Sequence, residues 1–565
     1  MDTTNSIFSN NDIHNCEGEG ISLEGDTGNT IRDNYVHDNP RTAENPEFDP
    51  SGIGIGVGSG STWENPHTDN NRIINNTVVR NHRGIIAGGQ RFSNLISNYI
   101  ANNDYAGVIV GTDGDADLSN NQIVNNSGFG VKCEGGSDMD VTFSGNMISG
   151  NGNNCDSCPN CLEPRSTCGT ITKSTQLTSD LVNDSTCITF GADNITLDCQ
   201  GHSISWCCSG YPGSYSAIYA EGRKNIGVRN CVIKGYPGSI SGYSHAIYLK
   251  STSDSSVNNN TMYNFTFSSG IDYPGVILLE NSPRNVISNN TLYNHTSIPI
   301  YLVSSQNNSI QDNIMYNGTS GSVTIGDESD GNSILRNTIR NSNGGISLLS
   351  SSYNRMESNS ISNNKRGIYL QSWSNSNMIL SNRISNVSDP YGEGAVGLVD
   401  SSNNTVRNNT IYNTTFYGIN ILDASYKNFI FNNTITKTFT GINMSTSAGL
   451  CNNTISNTTI SNTTYGVYLD TPYNASVVNS TITNNVYGIY SSYAMSNSLV
   501  RNNNISSNTN TGVYIKESDL NFSLNTVTLN GQYGVFCNTT FLKPTFSGNT
   551  ISGNGNNCDG CTGCP

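Results

Sequence analysis

Apolar residues recur along the chain in short pairs at spacing two, and each pair alternates with asparagines. The clearest line is Asn332, Ile334, Asn337 and Ile339, and it returns at steps of 22 to 27 residues. Spacing two is the periodicity of a strand, and no window shows a sustained helical period of 3.6 residues. A unit that returns at this interval is the signature of a stacked repeat. The further copies of the line begin at Asn354, Asn377, Asn404 and Asn428.

A single repeat of two or three short strands cannot bury its own apolar face. It can do so only by lying on the next copy, in parallel and in register. Asparagines at one repeated position would then stack into a ladder of hydrogen-bonded side-chain amides. Asparagine also tolerates the left-handed backbone that a tight corner needs. We therefore predict an all-β fold, a right-handed parallel β-helix.

The repeat, with a Gly-apolar-x-apolar element such as Gly345-Ile346 after most copies, resembles the pectate-lyase-like β-helix superfamily. Within it, the chain is most similar to archaeal and bacterial surface or periplasmic proteins related to the copper-maturation β-helix of nitrous oxide reductase. The segment from Cys168 through Cys199 to Ile204 resembles the opening of such domains in archaeal proteins. The resemblance implies the fold for nearly the whole chain. It leaves function open, because the superfamily contains lyases, hydrolases, adhesins and structural proteins.

A cysteine-rich cassette occurs twice. Residues 143–161 read FSGNMISGNGNNCDSCPNC, and residues 546–564 read FSGNTISGNGNNCDGCTGC. One further cysteine precedes each cassette, Cys133 in the first case and Cys537 in the second. We predict two consecutive β-helix domains, residues 1–162 and 168–565, each ended by a Cys-rich cap and joined by a linker at 163–167.

Most of the 16 cysteines lie near the ends of these domains. Such clustering favours disulfides in an oxidising compartment. A four-thiolate metal or iron–sulfur site is the alternative for each cassette. The predicted disulfide cysteines are Cys133, Cys155, Cys158, Cys161, Cys168, Cys187, Cys199, Cys207, Cys208, Cys231, Cys537, Cys558, Cys561 and Cys564.

The net charge and the hydropathy of the chain argue against some classes of binding partner. The net charge is −16, which argues against nucleic acid or an anionic membrane. No apolar run reaches the length of a membrane span, and no signal peptide follows Met1. The numbered chain is therefore expected to be a fragment, or to carry its export signal elsewhere.

Asn-x-Ser/Thr sequons are abundant beyond residue 183 and predict N-glycosylation, with covalent glycans as partners. The alternative is that an asparagine ladder followed by threonine creates sequons by accident. In Asn432-Asn433-Thr434, however, the ladder residue is Asn433, whereas the sequon residue Asn432 should face solvent. Glycans and disulfides together predict an extracellular or cell-surface protein from an archaeal or eukaryotic source. The predicted glycosylation sites are Asn183, Asn289, Asn294, Asn403, Asn408, Asn413, Asn432, Asn452, Asn457, Asn462 and Asn479.

Two insertions in the first domain, at 38–51 and 59–70, collect charged residues beside the glycine-rich segment 52–58. Asp49, Glu64 and His67 come from the insertions, and Arg80 and His82 follow on the next rung. Paired carboxylates would suit glycoside hydrolysis. An arginine beside carboxylates would suit polysaccharide lyase chemistry. The spacing matches no family motif, and the alternative is that loops of any β-helix gather the few charges of the chain.

Acidic residues alternate at Asp113, Asp115 and Asp117, as they do in calcium-binding loops. A structural calcium ion is the one cofactor that the sequence suggests, and a solvated acidic turn is the alternative. Copper is not expected. His202 lies near two cysteines, but the chain has only 7 histidines and no His/Met cluster.

Two functional hypotheses follow. The first is an extracellular glycosylated rod that serves as a structural, adhesive or filament-forming subunit. Its uncapped first rung suggests head-to-tail assembly with copies of itself. The second is a carbohydrate-active enzyme, or a sugar-binding module, that uses the first-domain loops to bind polysaccharide.

Overall fold

A computed structural model describes most of the chain as strands and turns, and none of the described residues forms a helix. The described residues are 4–23, 27–41, 51–58, 70–88, 91–111, 115–134, 139–144, 146–158, 161, 163–183, 185–206, 215–235, 245–266, 274–390, 392–446, 451–470, 473–493, 497–540 and 542–565.

The described residues up to Asp156 contain three parallel ladders, in which each strand pairs with the equivalent strand of the next rung. Ladder 1 contains Ile7–Ser9, Thr30–Arg32, Asn71–Ile74, Arg91–Ile96, Asp115–Ser119 and Val141–Ser144. Ladder 2 contains Asp12–His14, Tyr35–His37, Thr77–Val79, Tyr99–Ala101, Gln122–Val124 and Met147–Ser149. Ladder 3 contains Glu19–Leu23, Ile53–Val57, Arg83–Ala87, Ala106–Val110, Phe129–Cys133 and Asn153–Asp156. Three further strands follow, Glu163–Arg165, Thr175–Leu177 and Thr196–Asp198.

The rest of the chain forms three longer series of stacked strands in the same manner. Ladder 4 contains Gly227–Arg229, Ser256–Asn258, Val286–Ser288, Ser309–Gln311, Ser333–Leu335, Arg355–Glu357, Met378–Leu380, Thr405–Arg407, Phe429–Phe431, Thr454–Ser456, Ser476–Val478, Leu499–Arg501, Asn521–Ser523 and Thr545–Ser547. Ladder 5 contains Leu181–Asn183, Ser203–Trp206, Val232–Lys234, Thr261–Tyr263, Thr291–Tyr293, Ile314–Tyr316, Thr338–Arg340, Ser360–Ser362, Arg383–Ser385, Thr410–Leu422, Thr434–Ser445, Thr459–Ser461, Thr481–Thr483, Asn504–Ser506, Thr526–Thr528 and Thr550–Ser552. Ladder 6 contains Gly169–Ile171, Ile188–Phe190, Ser216–Glu221, His245–Lys250, Gly275–Glu280, Ile298–Val303, Val323–Gly326, Ile346–Leu349, Ile368–Gln371, Val396–Val399, Tyr465–Asp470, Tyr487–Tyr493, Thr511–Lys516, Tyr533–Asn538 and Asn556–Asp559, and the two long strands of ladder 5 continue into it.

The core is built from columns of apolar residues, one from each rung. In ladder 4, Ile334 pairs with Met356, and Met356 pairs with Ile379. All three are fully buried, whereas their flanking residues face outward. The predicted right-handed parallel β-helix is thus confirmed, and each rung buries its apolar residues only against its neighbours.

Buried asparagines form the predicted ladders along these columns. The backbone N–H of Asn337 donates to Oδ1 of Asn359 at 2.9 Å. The side-chain Nδ2 of Asn359 in turn donates to the carbonyl oxygen of Ile334 at 2.8 Å and to Oδ1 of Asn382 at 3.0 Å. The side-chain amides of the ladder therefore provide hydrogen-bond partners for backbone N–H and carbonyl groups at the corners, where strand pairing does not supply them.

The residue before each ladder asparagine usually adopts a left-handed backbone. Asn432, for example, has φ 55° and is exposed, whereas Asn433 is buried. The corner and the ladder therefore favour asparagine for different reasons, at neighbouring positions.

The chain divides into two compact units, and each is described here by itself. The first contains residues 1–167 with 171–179 and 195–200, and the second contains 168–170, 180–194 and 201–565. Residues 171–179 and 195–200, which are predicted to belong to the second domain, group with the first unit. The domain limits at 162 and 168 stay a prediction.

On the first rung of the first unit, Ile7 and Phe8 are exposed. Head-to-tail assembly through this rung stays a prediction.

Candidate functional site

Arg80, one of the predicted catalytic residues, belongs to a network of charged groups on ladder 2. Its guanidinium donates to both carboxylate oxygens of Asp38, at 2.8 and 2.7 Å, and to the hydroxyl of Tyr35 at 3.2 Å. His37 lies between two carboxylates, with Nδ1 2.6 Å from Asp38 and Nε2 2.9 Å from Asp12. The hydrogen bonds from Arg80 and then His37 hold the pKa of Asp38 well below its usual range. Arg80 is thus engaged by Asp38, and a catalytic role for it stays a prediction.

His82 is the second described candidate. Its ring stacks on Tyr105 with centroids 5.7 Å apart. Tyr105 also accepts a hydrogen bond from Nζ of Lys132 at 2.8 Å and has the Arg83 guanidinium 5.6 Å from its ring centroid. Asp49, Glu64 and His67 lie outside the described residues, so a catalytic site in this unit stays a prediction. The neighbouring glycine-rich strand, Ile53–Val57, is buried along its whole length.

The predicted calcium residues Asp115 and Asp117 both lie on the strand Asp115–Ser119. Asp115 accepts a hydrogen bond from the backbone of Asp140, and Asp117 accepts one from the hydroxyl of Thr142, both at 2.9 Å. Asp113 lies outside the described residues. Calcium binding at this run stays a prediction.

A cluster that the sequence analysis missed lies on the outward face of ladder 6, over three consecutive rungs. We call Tyr219, Glu221, Tyr248, Lys250 and Glu280 the tyrosine–glutamate patch. Tyr219 pairs with Tyr248 across the ladder, and Glu221, Lys250 and Glu280 form a second column beside them. Opposite charges therefore alternate from rung to rung, which favours the alignment.

Each phenol of the patch donates to a carboxylate. The hydroxyl of Tyr219 lies 2.7 Å from Glu221 on its own strand, and that of Tyr248 hydrogen-bonds to Glu280 on the next rung. Lys250 Nζ is 3.9 Å from Glu221. Burial, and then the hydrogen bonds to these carboxylates, raise the pKa of both phenols well above the usual value. Both tyrosines are consequently protonated donors that orient the carboxylates.

His245 supports the patch from the same strand as Tyr248 and Lys250. Its ring centroid is 5.0 Å from that of Tyr248, and its Nδ1 lies 2.6 Å from the carbonyl oxygen of Gly275. A carbonyl only accepts, so Nδ1 carries the proton. Burial lowers the pKa of His245 to about 4, and the imidazole is therefore neutral at pH 7.

A sequence signal for this patch exists. The rungs that carry it are separated by 29 and 30 residues, from Ile218 to Ile247 and from Ile247 to Ile277, whereas most rungs elsewhere are 22 to 25 residues apart. Longer rungs contain insertions, and insertions commonly border functional faces. The charged residues themselves are scattered in sequence, and only strand pairing shows that they are adjacent.

The cysteines follow one pairing scheme in both cassettes. Cys133 bonds to Cys158 and Cys155 to Cys161, and in the same way Cys537 bonds to Cys561 and Cys558 to Cys564. A further disulfide joins Cys168 to Cys187, and Cys199 and Cys231 are also disulfide-bonded. Disulfide caps are therefore confirmed for these residues, and Cys207 and Cys208 lie outside the described part of the chain. Among the described cysteines, Cys16 and Cys451 are free thiols.

Almost all predicted glycosylation sites lie at left-handed corners and are exposed. This holds for every one except Asn183, which is half-buried and donates to the hydroxyl of Ser185 at 3.2 Å. N-glycosylation itself stays a prediction.

Two protein-family profiles match the sequence of this chain. The profile of the periplasmic copper-binding protein family (NosD) matches residues 209–395 and 383–499, and together these matches span more than half of the chain. This chain belongs to the NosD family. The profile of the right-handed β-helix region matches residues 1–161 and 447–563 of the same NosD-family chain. No curated protein matches its sequence.

Solved structures similar to this NosD-family chain share low sequence identity with it. The A-module of the mannuronan C-5 epimerase AlgE4 of Azotobacter vinelandii is 12% identical, covers 64% of this chain and 91% of its own, and has a TM-score of 0.35. The catalytic domain of a GH87 α-1,3-glucanase in complex with nigerose is 13% identical, with 61% and 59% covered and a TM-score of 0.33. DFA-IIIase from Arthrobacter chlorophenolicus A6 is 13% identical, with 60% and 84% covered and a TM-score of 0.35. No function is inferred from these similarities.

NosD proteins are periplasmic, and the disulfides of this member suggest an oxidising, secreted environment. None of the described residues forms a helix long and apolar enough to cross a membrane.

The family description raises the question of copper, and the described residues do not fit a copper site. No three histidine, cysteine or acidic side chains among them are placed to hold one metal ion. Nδ1 of His202 lies 3.6 Å from a carboxylate oxygen of Asp180. Cys451 and Met444 bring two sulfur atoms to 3.4 Å, but burial raises the pKa of the Cys451 thiol, which is therefore held protonated.

Proposed function

We propose that this protein is an extracytoplasmic adhesive β-helix protein that binds polysaccharide at the tyrosine–glutamate patch. The observation that carries the proposal is the pairing of two phenols with two carboxylates on consecutive rungs. Oriented carboxylates accept hydrogen bonds from neighbouring sugar hydroxyls, and tyrosine rings offer apolar area to the sugar ring. The patch carries two carboxylates and one ammonium group, which favours a neutral, hydroxyl-rich chain over an acidic one.

The proposal is tested by native electrophoresis in gels that contain glucomannan, hydroxyethyl cellulose or alginate. We expect the neutral polymers to retard the protein more than alginate does. The double variant Glu221→Gln/Glu280→Gln should weaken retardation by at least about tenfold, because hydrogen bonds to charged groups contribute about 1.5–3 kcal/mol. Glu134→Gln, which removes a carboxylate paired with Lys132 in the first unit, is the matched control. Equal retardation of the double variant and the wild type would refute the assignment.

The same samples separate binding from turnover. Release of reducing ends by the wild type, lost in the double variant, would assign the carboxylates to glycoside hydrolysis instead of adhesion. The absorbance of unsaturated uronates reports lyase activity on alginate in the same way. An adhesive protein retards the polymer without either signal.

We further propose that the exposed corner asparagines carry N-glycans. The support is their exposure and their position one residue before the buried ladder, as at Asn408 and Asn432. A loss of mass after enzymatic deglycosylation of the protein from its native host tests this. An unchanged mass would contradict it.

A further inference from the structure

The outward side of ladder 5 changes character in its last rungs. In earlier rungs it carries large or charged residues, among them Tyr293, Arg383 and Tyr412. From Thr434 onward, each rung presents two short, uncharged polar side chains, one on each side of a buried isoleucine or valine. We call these positions the hydroxyl face, and they are Thr434, Thr436, Thr459, Ser461, Thr481, Thr483, Asn504, Ser506, Thr526, Thr528, Thr550 and Ser552.

Strand pairing places the side chains of the hydroxyl face in two columns. In the first column, Thr459 pairs with Thr434 on one side and with Thr481 on the other, and the pairing continues to Thr550 without a shift of register. The second column runs parallel to the first in the same strands. Neighbouring rungs are about 4.8 Å apart, and positions two residues apart on an extended strand are separated by roughly 6.6 Å. The face is therefore a regular grid.

The core and the asparagine ladder fix the spacing of this grid. The residue between the two columns is buried on every rung, as at Ile482 and Val527. Behind the second column, the backbone N–H of Asn485 donates to Oδ1 of Asn508, and that of Asn508 donates to Oδ1 of Asn530, both at 3.0 Å. The grid is thus attached to rigid structure along its whole length.

The threonine hydroxyls of the hydroxyl face are not used inside the protein. Within the described part of the chain, none of them forms a hydrogen bond with another protein group. By contrast, the hydroxyl of Thr463, which lies behind the face, donates to Oδ1 of Asn485 at 2.7 Å. The hydroxyls of the grid are therefore available to a ligand.

Neither glycosylation sequons nor strand propensity accounts for this pattern. In the first column, Thr434, Thr459 and Thr481 end sequons, whereas Thr526 and Thr550 do not. None of the threonines of the second column ends a sequon. Strands favour threonine, but they favour tyrosine equally, and the earlier rungs of ladder 5 contain it.

We propose that the hydroxyl face binds ice. The oxygen atoms of ice lie in rows whose repeats are close to the two spacings of the grid, so the hydroxyls can occupy oxygen positions of the lattice. The methyl group of each threonine packs beside these positions. This inference does not rest on the proposed function, because the tyrosine–glutamate patch lies on ladder 6.

The charge distribution fits an uncharged lattice. The net charge of the chain is −16, yet no position of the hydroxyl face is charged. The nearest cation along the first of these strands, Lys437, is turned to the preceding rung, where its Nζ donates to the hydroxyl of Tyr412 at 3.0 Å. An ordered layer of water can therefore form over the grid without being disrupted by a charged group.

The size and composition of the hydroxyl face argue against a protein or a polysaccharide as its ligand. Its rungs, from Thr434 to Ser552, give a surface roughly 24 Å long and 7 Å wide. This area is far below the roughly 800 Å² that each partner buries in a specific protein complex. The face also lacks the aromatic, methionine and arginine residues of interface cores, and it has no ring on which a sugar could pack.

The test measures inhibition of ice recrystallisation and thermal hysteresis with the full chain. The protein is produced without N-glycans, because the proposed glycans would lie at the corner beside the first column. We expect the wild type to inhibit ice growth. Thr483→Tyr puts a ring in the middle of the grid and keeps the neighbouring hydroxyls off the lattice. It should weaken inhibition about tenfold or more, which corresponds to a loss of about 1.4 kcal/mol in binding free energy.

Ser362→Tyr is the matched control. Ser362 lies on ladder 5 in the column of Thr483, on a rung outside the hydroxyl face. Tyr293 and Tyr316 show that this column accepts tyrosine, so neither variant should change the melting temperature. Ser362→Tyr should inhibit ice growth like the wild type.

Three results would overturn the ice-binding face. They are a wild type that does not inhibit ice growth, a Thr483→Tyr variant that inhibits it fully, and a Ser362→Tyr variant that loses as much inhibition as Thr483→Tyr. Gels with glucomannan keep this test separate from the proposed function, since Thr483→Tyr should be retarded like the wild type. Loss of that retardation would assign the face to polysaccharide instead and would also overturn the inference.

Discussion

At the scale of single residues, the ladder position tolerates a histidine only in its neutral form. Nδ1 of His295 accepts the N–H of Phe265 at 3.4 Å, as Oδ1 of asparagine does on other rungs, and the residue is buried. Burial lowers the pKa of His295 to about 3. The unfolded chain takes up a proton near pH 6.5 that the folded chain does not bind, so the free energy of unfolding falls as the pH drops below that value and continues to fall toward the folded pKa.

We therefore expect the second unit to lose about 2 kcal/mol at His295 between pH 7.5 and pH 5. His245 contributes in the same direction, because its pKa is also lowered by burial. Urea unfolding at the two pH values measures the loss, and His295→Asn should reduce it while keeping the ladder acceptor. The half-exposed His202, changed to asparagine, is the control. An acid sensitivity that His295→Asn leaves unaltered would contradict this account.

At the scale of the structural element, the asparagine ladder is the feature on which the stacking of rungs depends. Asn409 Oδ1 accepts the N–H of Asn382 at 2.8 Å, and its Nδ2 donates to the carbonyl oxygen of Ile379 at 2.9 Å. Asn409→Ala leaves both groups buried without partners. We expect a loss of roughly 2–4 kcal/mol in the free energy of unfolding. The outward-facing neighbour, Thr410→Ala, should change it by less than about 0.5 kcal/mol. Similar losses for both variants would refute the ladder as the source of stability.

At the scale of the whole molecule, the two caps offer a way to address the two units separately. Cys133–Cys158 closes a loop with a sequence separation of 25, and Cys537–Cys561 closes one of 24. Replacing either pair with serines should cost about 3 kcal/mol, because the unfolded chain gains loop entropy. The loss should appear in the unfolding transition of the unit that contains the pair, measured by calorimetry. Replacing Cys558 and Cys564, which are only 6 residues apart, should cost less. An equal effect of all three replacements would argue against the loop-entropy explanation.

Prediction from sequence succeeded for the contacts that form between successive copies of the repeat. The buried column of Ile334 and Met356 and the presence of disulfides in both cassettes follow from a pattern that recurs, whereas the pairing of the cysteines is known only from the structure. The candidate site was harder to predict. Arg80 was chosen as a charged residue beside insertions, but only the structure shows that Asp38 engages it. The patch of Tyr248, Lys250 and Glu280 was missed, because none of these residues stands out along the chain.

By itself, the sequence determined that the chain is a right-handed β-helix with cysteine-capped ends. It could do so because each rung packs on another copy of the same pattern, and local periodicity then specifies the long-range contacts. Only the tertiary structure decided which outward side chains meet. Insertions change the rung length from 22 to about 30 residues, so the alignment of Glu221 with Lys250 and of Lys250 with Glu280 exists only once the strands have paired. A one-residue change of register would turn each of these side chains to the other face, and for this reason the outer surface is read from strand pairing and not from sequence.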